Sequence, residues 1–345
     1  MKSDIPFFIR RYKVSKVQFI KVQKEDDGIR LDRWFSRHYP QIKNGQIQKL
    51  VRSKNIKVNG QKTSTDYRLS IGDEIRIPPI QENLEVDKSQ PRNLSKADVD
   101  FMKSLVIYKD EDVIVLNKPA GLAVQGGTKT SRHVDGLLDA LRFEKNEKPH
   151  LVHRLDKDTS GVLILGRTAN AAASLAKAFK DRKAQKIYWA VVVGKPKLLS
   201  GKIDAPLAKV GNGQGKEQMK IDFDAGQRAQ TLYRVIDALA RKASWLEMAP
   251  LTGRTHQLRV HCMALNTPIA GDVKYGSERA VSLGLPYGNK MHLHARGLKI
   301  SHPNPKKGML QVVADLPVHM KDTFDFLGFD ESQSVNPFDY FKKDE

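Results

Sequence analysis

The stretch that most limits how this chain can fold runs from His153 to Gly166. Its second part, Val162-Leu163-Ile164-Leu165, is apolar at every position. A short run of that kind, bounded by polar residues, reads as a buried strand. Its first part, His153-Arg154-Leu155-Asp156-Lys157-Asp158-Thr159-Ser160-Gly161, has Leu155 as its single apolar residue. A loop carrying carboxylates and basic side chains therefore feeds straight into the sheet. Loops pinned in this way are where chemistry tends to sit. A salt-bridged surface turn would have a similar composition, and the rest of the chain has to decide between the two readings.

Further buried-strand patterns lie at Val113-Ile114-Val115-Leu116 and Trp189–Val193. Later ones occupy Thr231–Ile236, Trp245–Met248 and Gly308–Val313. Between them, Ala171, Leu175, Ala178 and Phe179 recur at helical spacing from Ala169 onward. Many short strands with few long helices predict an α+β domain on a mixed, mostly antiparallel sheet. Gly211 to Lys216 is glycine-rich but no Gly-Lys-Ser/Thr follows, so it reads as a mobile insertion and not as a phosphate loop.

A smaller module precedes this domain. In Arg30 to Tyr39 the apolar residues 31, 34, 35 and 39 keep helical spacing, and Pro40 ends the run. A second short helix is expected over Gln46–Lys54. Ile56-Lys57-Val58 and Glu74-Ile75-Arg76-Ile77 alternate as half-buried strands do, with turns at Asn59-Gly60 and Ile71-Gly72-Asp73. The expected organisation is a module over 17–79, a polar linker over 80–102, a large domain over 103–330 and a frayed polar tail over 331–345.

The formal net charge is +20, and residues 1–79 hold 18 Lys and Arg against 8 Asp and Glu, half of the excess. A basic surface releases counterions from a polyanion on binding, so nucleic acid is the economical partner. An anionic membrane fits less well, since no long amphipathic basic helix is evident. No run reaches the ~18 apolar residues of a membrane helix, and no secretory leader is evident at the N-terminus. A cytoplasmic monomer is expected. The single cysteine, Cys262, forms no internal disulfide and is expected as a small buried thiol on a helix. His153, His256, His261, His292 and His294 lack metal-ligand spacing and a Cys-x-x-Cys, so no metal is expected.

The loop around Asp156 resembles the aspartate motif of the RluA-type pseudouridine synthases, which isomerise uridine in structured RNA. Lys186-Ile187-Tyr188-Trp189-Ala190-Val191-Val192-Val193-Gly194 is similar to the family's tyrosine motif. Thr252-Gly253-Arg254-Thr255-His256-Gln257-Leu258-Arg259-Val260-His261 is similar to its arginine motif. Asn117–Leu122 upstream and Pro268–Asp272 with Tyr275-Gly276 downstream agree, so the resemblance covers roughly 105–317. The smaller module resembles the S-four-like RNA-binding domain through Arg30-Leu31-Asp32 and Ile56-Lys57-Val58-Asn59-Gly60. Within the family, Ile77-Pro78-Pro79 and Ala123–Gly127 are most similar to the C type of ribosomal large-subunit synthases.

The resemblance implies a pseudouridine synthase fold and a reaction on RNA, with large-subunit ribosomal RNA as the substrate. It implies Asp156, Tyr188 and Arg259 as the catalytic set, with Arg154 and Leu155 supporting the site. Asp156 would act as nucleophile or as base. Arg259 would pair with it through two parallel hydrogen bonds and keep it ionised, leaving Arg154 to contact RNA or support the loop. Tyr188 would stack on the base and exchange a proton. Arg33, Lys49, Arg52 and Lys54 would hold RNA phosphates. The reaction requires no cofactor. One alternative is a non-catalytic RNA-binding or ribosome-assembly factor on the same fold. Another is a hydrolase using Asp156 and Asp158 as paired carboxylates, which leaves the tyrosine and arginine motifs unexplained.

Overall fold

The computed structural model describes residues 17–39, 42, 44–79, 94–126, 132–212, 216–276, 280, 284–334 and 336–339. The chain divides into two compact units, Met1–Gln90 and Pro91–Glu345.

In the first unit, strand β1 (Gln18–Lys21) precedes helices α1 (Leu31–His38) and α2 (Asn44–Arg52), followed by β2 (Lys57–Val58) and β3 (Glu74–Ile77). The strands form one sheet in the order β1-β3-β2. The apolar stripe of α1 is what the 31, 34, 35 spacing requires: Leu31, Trp34 and Phe35 are buried against Ile47, Ile56, Leu69 and Ile75. Asp26 anchors the helix from below. Its carboxylate accepts from Trp34 Nε1 at 3.0 Å and from Arg37 Nη1 at 3.1 Å.

The second unit begins with α3 (Lys96–Ser104), β4 (Val106–Lys109), β5 (Val113–Lys118), α4 (Val134–Leu137) and β6 (His150–Leu151). Strand β7 (Ser160–Gly166), α5 (Ala169–Lys180) and β8 (Gln185–Val193) follow. Next come β9 (Ser200–Asp204), a hairpin of β10 (Leu207–Asn212) and β11 (Lys216–Ile221), β12 (Gln230–Leu239) and β13 (Ala243–Pro250). Helix α6 (Gln257–Ala264), β14 (Leu293–Ser301), β15 (Met309–Val313) and α7 (Val318–Leu327) complete it. The main sheet has the order β4-β5-β7-β14-β8-β13-β12-β9, with β15 on β14 and β6 on β7. Only β7 and β14 pair in parallel among the described strands, so the sheet is mixed and mostly antiparallel. The fold is the α+β one expected.

The run Val162–Leu165 is buried on both faces, as its composition demands. Val162 and Ile164 pack beneath α5 with Leu175 and Ala178. Leu163 and Leu165 pack on the other face with Met102, Leu138 and Leu141. Trp189 and Trp245 meet edge-to-face at 4.6 Å under Phe324 of α7.

Two expectations need correction. The linker expected over 80–102 lies outside the described residues up to 93, but its end is helix α3, whose Met102 is buried in the core. The Ser95 hydroxyl caps that helix by accepting from the Asp98 N–H. The tail expected from 331 is packed as far as the described residues reach. Ser334 Oγ donates to the buried Glu247 at 2.6 Å, and Phe338 lies in the core beside Trp189. Phe338 has no periodic apolar neighbours in its polar stretch to announce that burial. The glycine-rich 211–216 segment falls at the β10–β11 hairpin, and 213–215 lie outside the described residues.

Candidate active site

The parallel contact of β7 with β14 positions the site. Gly161 lies opposite Ala295, Ala295 opposite Tyr188, and Tyr188 opposite Met248, so one row crosses four strands. Two strand spacings, about 10 Å of backbone, thus separate the end of the aspartate loop from Tyr188. Gly161 has φ +108, and a β-carbon there would collide with the Ala295 carbonyl, so only glycine lets the strands come this close.

The aspartate loop is held at both ends. His153 Nε2 accepts the Ile164 N–H at 3.0 Å while its ring stacks on Phe179. Burial pushes the His153 pKa down to about 3, so the ring is a neutral acceptor. On the other side, Lys157 O accepts from the Gly121 N–H and from Lys118 Nζ. Lys118 is fully buried and also donates to Pro119 O and Leu122 O, at 2.9 and 2.8 Å. Its burial lowers the pKa to about 7, and the charges of Asp158 and Asp156 oppose the drop. Leu155 is buried in the core with Ala295, and Tyr188 packs against it. The loop is therefore clamped by its backbone, leaving the Asp156 side chain part-exposed.

Helix α6 brings Arg259. Gln257, buried at its first turn, receives the Thr252 hydroxyl and the Arg254 N–H and donates to Gln230 O and Thr231 Oγ1. Arg259 Nη1 stands 3.5 Å from Asp156 Oδ2. The expected two-bond pair is made elsewhere. Arg259 Nε and Nη2 donate to Asp272 at 2.7 and 2.8 Å, and Asp272 also accepts the N–H groups of Lys274 and Tyr275. Burial works against the guanidinium charge, but Asp272, aided by Asp156, more than restores it and raises its pKa. With Nε and Nη2 committed to Asp272, Nη1 is the nitrogen that faces Asp156. Sequence reasoning missed this division of labour, although Asp272 lay in a segment it had singled out.

Tyr188 is half-buried on β8, and burial together with the Asp156 charge raises its pKa. It is a neutral phenol at physiological pH. Arg154 is exposed. Among the described residues, the basic groups within 4 Å of the Asp156 carboxylate are Arg259 and His256, the latter at 3.9 Å. A cleft of about 400 Å³ opens beside Arg259, lined by Pro119, Gly121, Asp158, Asp272, Lys290 and Met291 among others. Arg33, Lys49, Arg52 and Lys54 are all exposed in the first unit. Arg52 and Lys54 share a surface cleft with Lys62 and Thr63–Thr65.

The histidines that sequence spacing left open have protein partners. His261 contacts Thr231 Oγ1 and Ala205 O, His292 contacts Thr323, and His294 contacts Ser160 Oγ and Ala314 O. Cys262 is buried on α6. One group among the described residues, Asp110, Asp112 and His302, has metal-like clustering. Asp110, however, already accepts from the Lys307 ammonium at 2.7 Å, from Tyr108 and from two backbone N–H groups.

Residues 112–264 match the model of the RNA pseudouridylate synthase family, and 29–75 match the S4 domain. The ribosomal large subunit pseudouridine synthase C of Rickettsia conorii is 38% identical over 276 residues, covering 79% of this chain and 89% of that protein. This chain belongs to the RNA pseudouridylate synthase family. The Vibrio cholerae enzyme of the same name is 30% identical over 310 residues, 89% of this chain and 96% of that one. Among solved structures, the human RNA pseudouridylate synthase domain containing 4 superposes with a TM-score of 0.56 at 30% identity, covering 67% of this chain and 97% of that one. The family match spans the loop-borne aspartate, the strand-borne tyrosine and the helix-borne arginine, and the S4 match runs from α1 into β3. No helix among the described residues is long and apolar enough to cross a membrane.

Proposed function

We propose that this protein isomerises uridine to pseudouridine in large-subunit ribosomal RNA, as a cytoplasmic monomer that uses neither cofactor nor metal. The observation that carries the reading is a part-exposed carboxylate, Asp156, fixed by its backbone 3.5 Å from a buried arginine. Relatives covering most of the chain that are named for ribosomal large-subunit modification support the choice of RNA.

The reaction breaks the N1–C1′ bond of uridine, makes a C5–C1′ bond, and moves one proton from C5 to N1. Atoms and electrons balance within the substrate, which is why no external redox partner is needed. The target base leaves its stack and comes to the part-exposed Asp156 carboxylate. Asp156 acts either as nucleophile or as the base that takes a sugar proton. Arg259 Nη1 faces it from 3.5 Å, and Arg154 faces the RNA from the exposed side of the loop. Tyr188 enters as a neutral phenol, able to stack and to donate. Arg33, Lys49, Arg52 and Lys54 hold phosphates, as basic side chains do on structured RNA.

Site-resolved pseudouridine mapping of ribosomal RNA from cells lacking the protein tests this. Sites should vanish on deletion and return with the wild-type chain, but not with Asp156→Ala. Restoration by Asp156→Ala would remove the carboxylate from the reaction and favour an RNA-binding assembly factor on the same fold.

A further inference from the structure

A second basic side chain faces Asp156, and its geometry has no structural excuse. His256 precedes α6 with φ 54 and ψ 19, the left-handed region that a β-carbon disfavours. It makes no capping hydrogen bond to the helix it begins. Strain of this kind persists where the surroundings over-determine the residue, and it gathers at functional sites. Here the ring is held on one side and faces the carboxylate on the other. Nδ1 lies 2.7 Å from the Tyr275 hydroxyl, and Nε2 points at Asp156 Oδ2 from 3.9 Å.

The hydrogen-bond chain favours one tautomer. The Tyr275 oxygen already accepts the Met219 N–H from β11 at 3.0 Å. Its own proton is then free to go to His256 Nδ1, which leaves the histidine proton on Nε2, facing the carboxylate. The ring of Tyr275 is itself held, with the Arg259 guanidinium over it at 5.0 Å. We infer that His256 is a positioning residue that aims an N–H at Asp156, with Tyr275 and the backbone of β11 as the lock on its tautomer. This inference rests on the proposed reaction at Asp156.

The charged and titratable neighbours are Asp156, Arg259, Lys274, Asp272 and Tyr275. Burial lowers the His256 pKa, with Arg259 and Lys274 adding to the drop and Asp156 and Asp272 opposing it. The ring is therefore neutral at physiological pH and offers one directed N–H, not a second full charge. The 3.9 Å gap leaves room for closure when substrate binds, as catalytic contacts commonly do.

Two measurements on the full chain test the inference. In the first, nitrogen chemical shifts of selectively labelled histidines are followed with pH in the wild type and in Asp156→Asn. The expected result is a bare Nδ1 and a protonated Nε2 on His256, with a titration midpoint that falls when Asp156 loses its charge. The opposite tautomer, or a midpoint unmoved by Asp156→Asn, overturns the inference. In the second, pH–rate profiles are compared for wild type, His256→Asn and Tyr275→Phe. Asparagine tolerates the left-handed backbone but cannot reach the carboxylate, and phenylalanine keeps the ring over which Arg259 lies.

Both variants should lower kcat with KM unchanged and move the acidic limb up by about one pH unit, the size expected on losing a favourable neighbour at this range. A merely structural histidine would leave the limb in place, and that result also overturns the inference. A wild-type chain that does not isomerise uridine would sink the proposed reaction instead, while the nitrogen shifts would still decide the fate of His256.

Discussion

Arg259 commits Nε and Nη2 to Asp272 and reaches Asp156 with Nη1 alone. Asp272 is therefore the residue that holds the arginine, and Asp156 is the residue the arginine serves. Both side chains of the holding pair are buried, at 8% and 1% exposure.

That arrangement predicts an asymmetric cost. Asp272→Ala strands a buried guanidinium and leaves the Lys274 and Tyr275 N–H groups without their acceptor. Breaking a buried pair from one side costs about 3–5 kcal/mol. Urea unfolding followed by tryptophan fluorescence should show a loss of that size, together with loss of isomerisation. Asp156→Asn removes only a part-exposed charge that Arg259 and His256 face from 3.5 and 3.9 Å, and should unfold within about 1 kcal/mol of wild type. Equal stability losses for the two variants would contradict the division of roles.

Tyr188 yields the second prediction. Because burial and the Asp156 charge raise its pKa, the phenol stays protonated across the working range, and the basic limb of the pH–rate profile should not report it. Tyr188→Phe keeps the ring for stacking and removes the proton. Single-turnover rates should fall by roughly 10²–10⁴-fold, the usual worth of a positioned acid or base, with RNA affinity nearly unchanged. Full turnover in that variant would leave Tyr188 a stacking role only.

Val162–Leu165, Trp189 and the stripe of α1 were legible because burial imposes a period on the chain itself. The motif residues were legible because they occupy loops and strand ends next to such runs. What periodicity cannot encode is which distant side chain satisfies a buried charge. Asp272, 13 residues beyond Arg259, took the bidentate pair from Asp156 for that reason. Lys118 was quoted as one letter of a flanking motif, and only the three carbonyls around its ammonium reveal what it does. Helix α3 was there to be found, since Ser95 and Asp98 have the spacing of an N-terminal cap.

The third prediction concerns the first unit. Arg52 and Lys54 are exposed side by side at one surface cleft. If each neutralises one phosphate, RNA affinity should fall with salt along a slope that drops by about 0.7–0.9 per side chain removed. Arg52→Ala with Lys54→Ala should then flatten the slope by nearly two and weaken binding across RNA sequences alike, without moving the unfolding midpoint. An unchanged slope would place the RNA elsewhere on this unit.

The last prediction follows from Lys118. Its folded pKa of about 7 lies below the ordinary 10.5 because the ammonium is buried. Between those values the unfolded chain binds more protons than the folded one, so stability rises with pH across that window. Below about pH 7 the full penalty of burying the charge is present, and above about 10.5 none of it remains. Over the whole window the gain is roughly 5 kcal/mol. Lys118→Met abolishes this component but takes the ammonium donor from the carbonyls of Pro119 and Leu122, at a cost of about 1–3 kcal/mol for each such group, while Lys157 O keeps the Gly121 N–H. Wild type should therefore gain on Lys118→Met as pH is raised from 7 to 10, as read by urea midpoints at each pH. The variant should also turn over more slowly even where it is folded, because Lys157 O is what ties the aspartate loop to the Pro119–Leu122 segment. A stability difference that stays flat with pH would mean that Lys118 holds its proton in the folded chain, and that three carbonyls and two nearby carboxylates outweigh its burial.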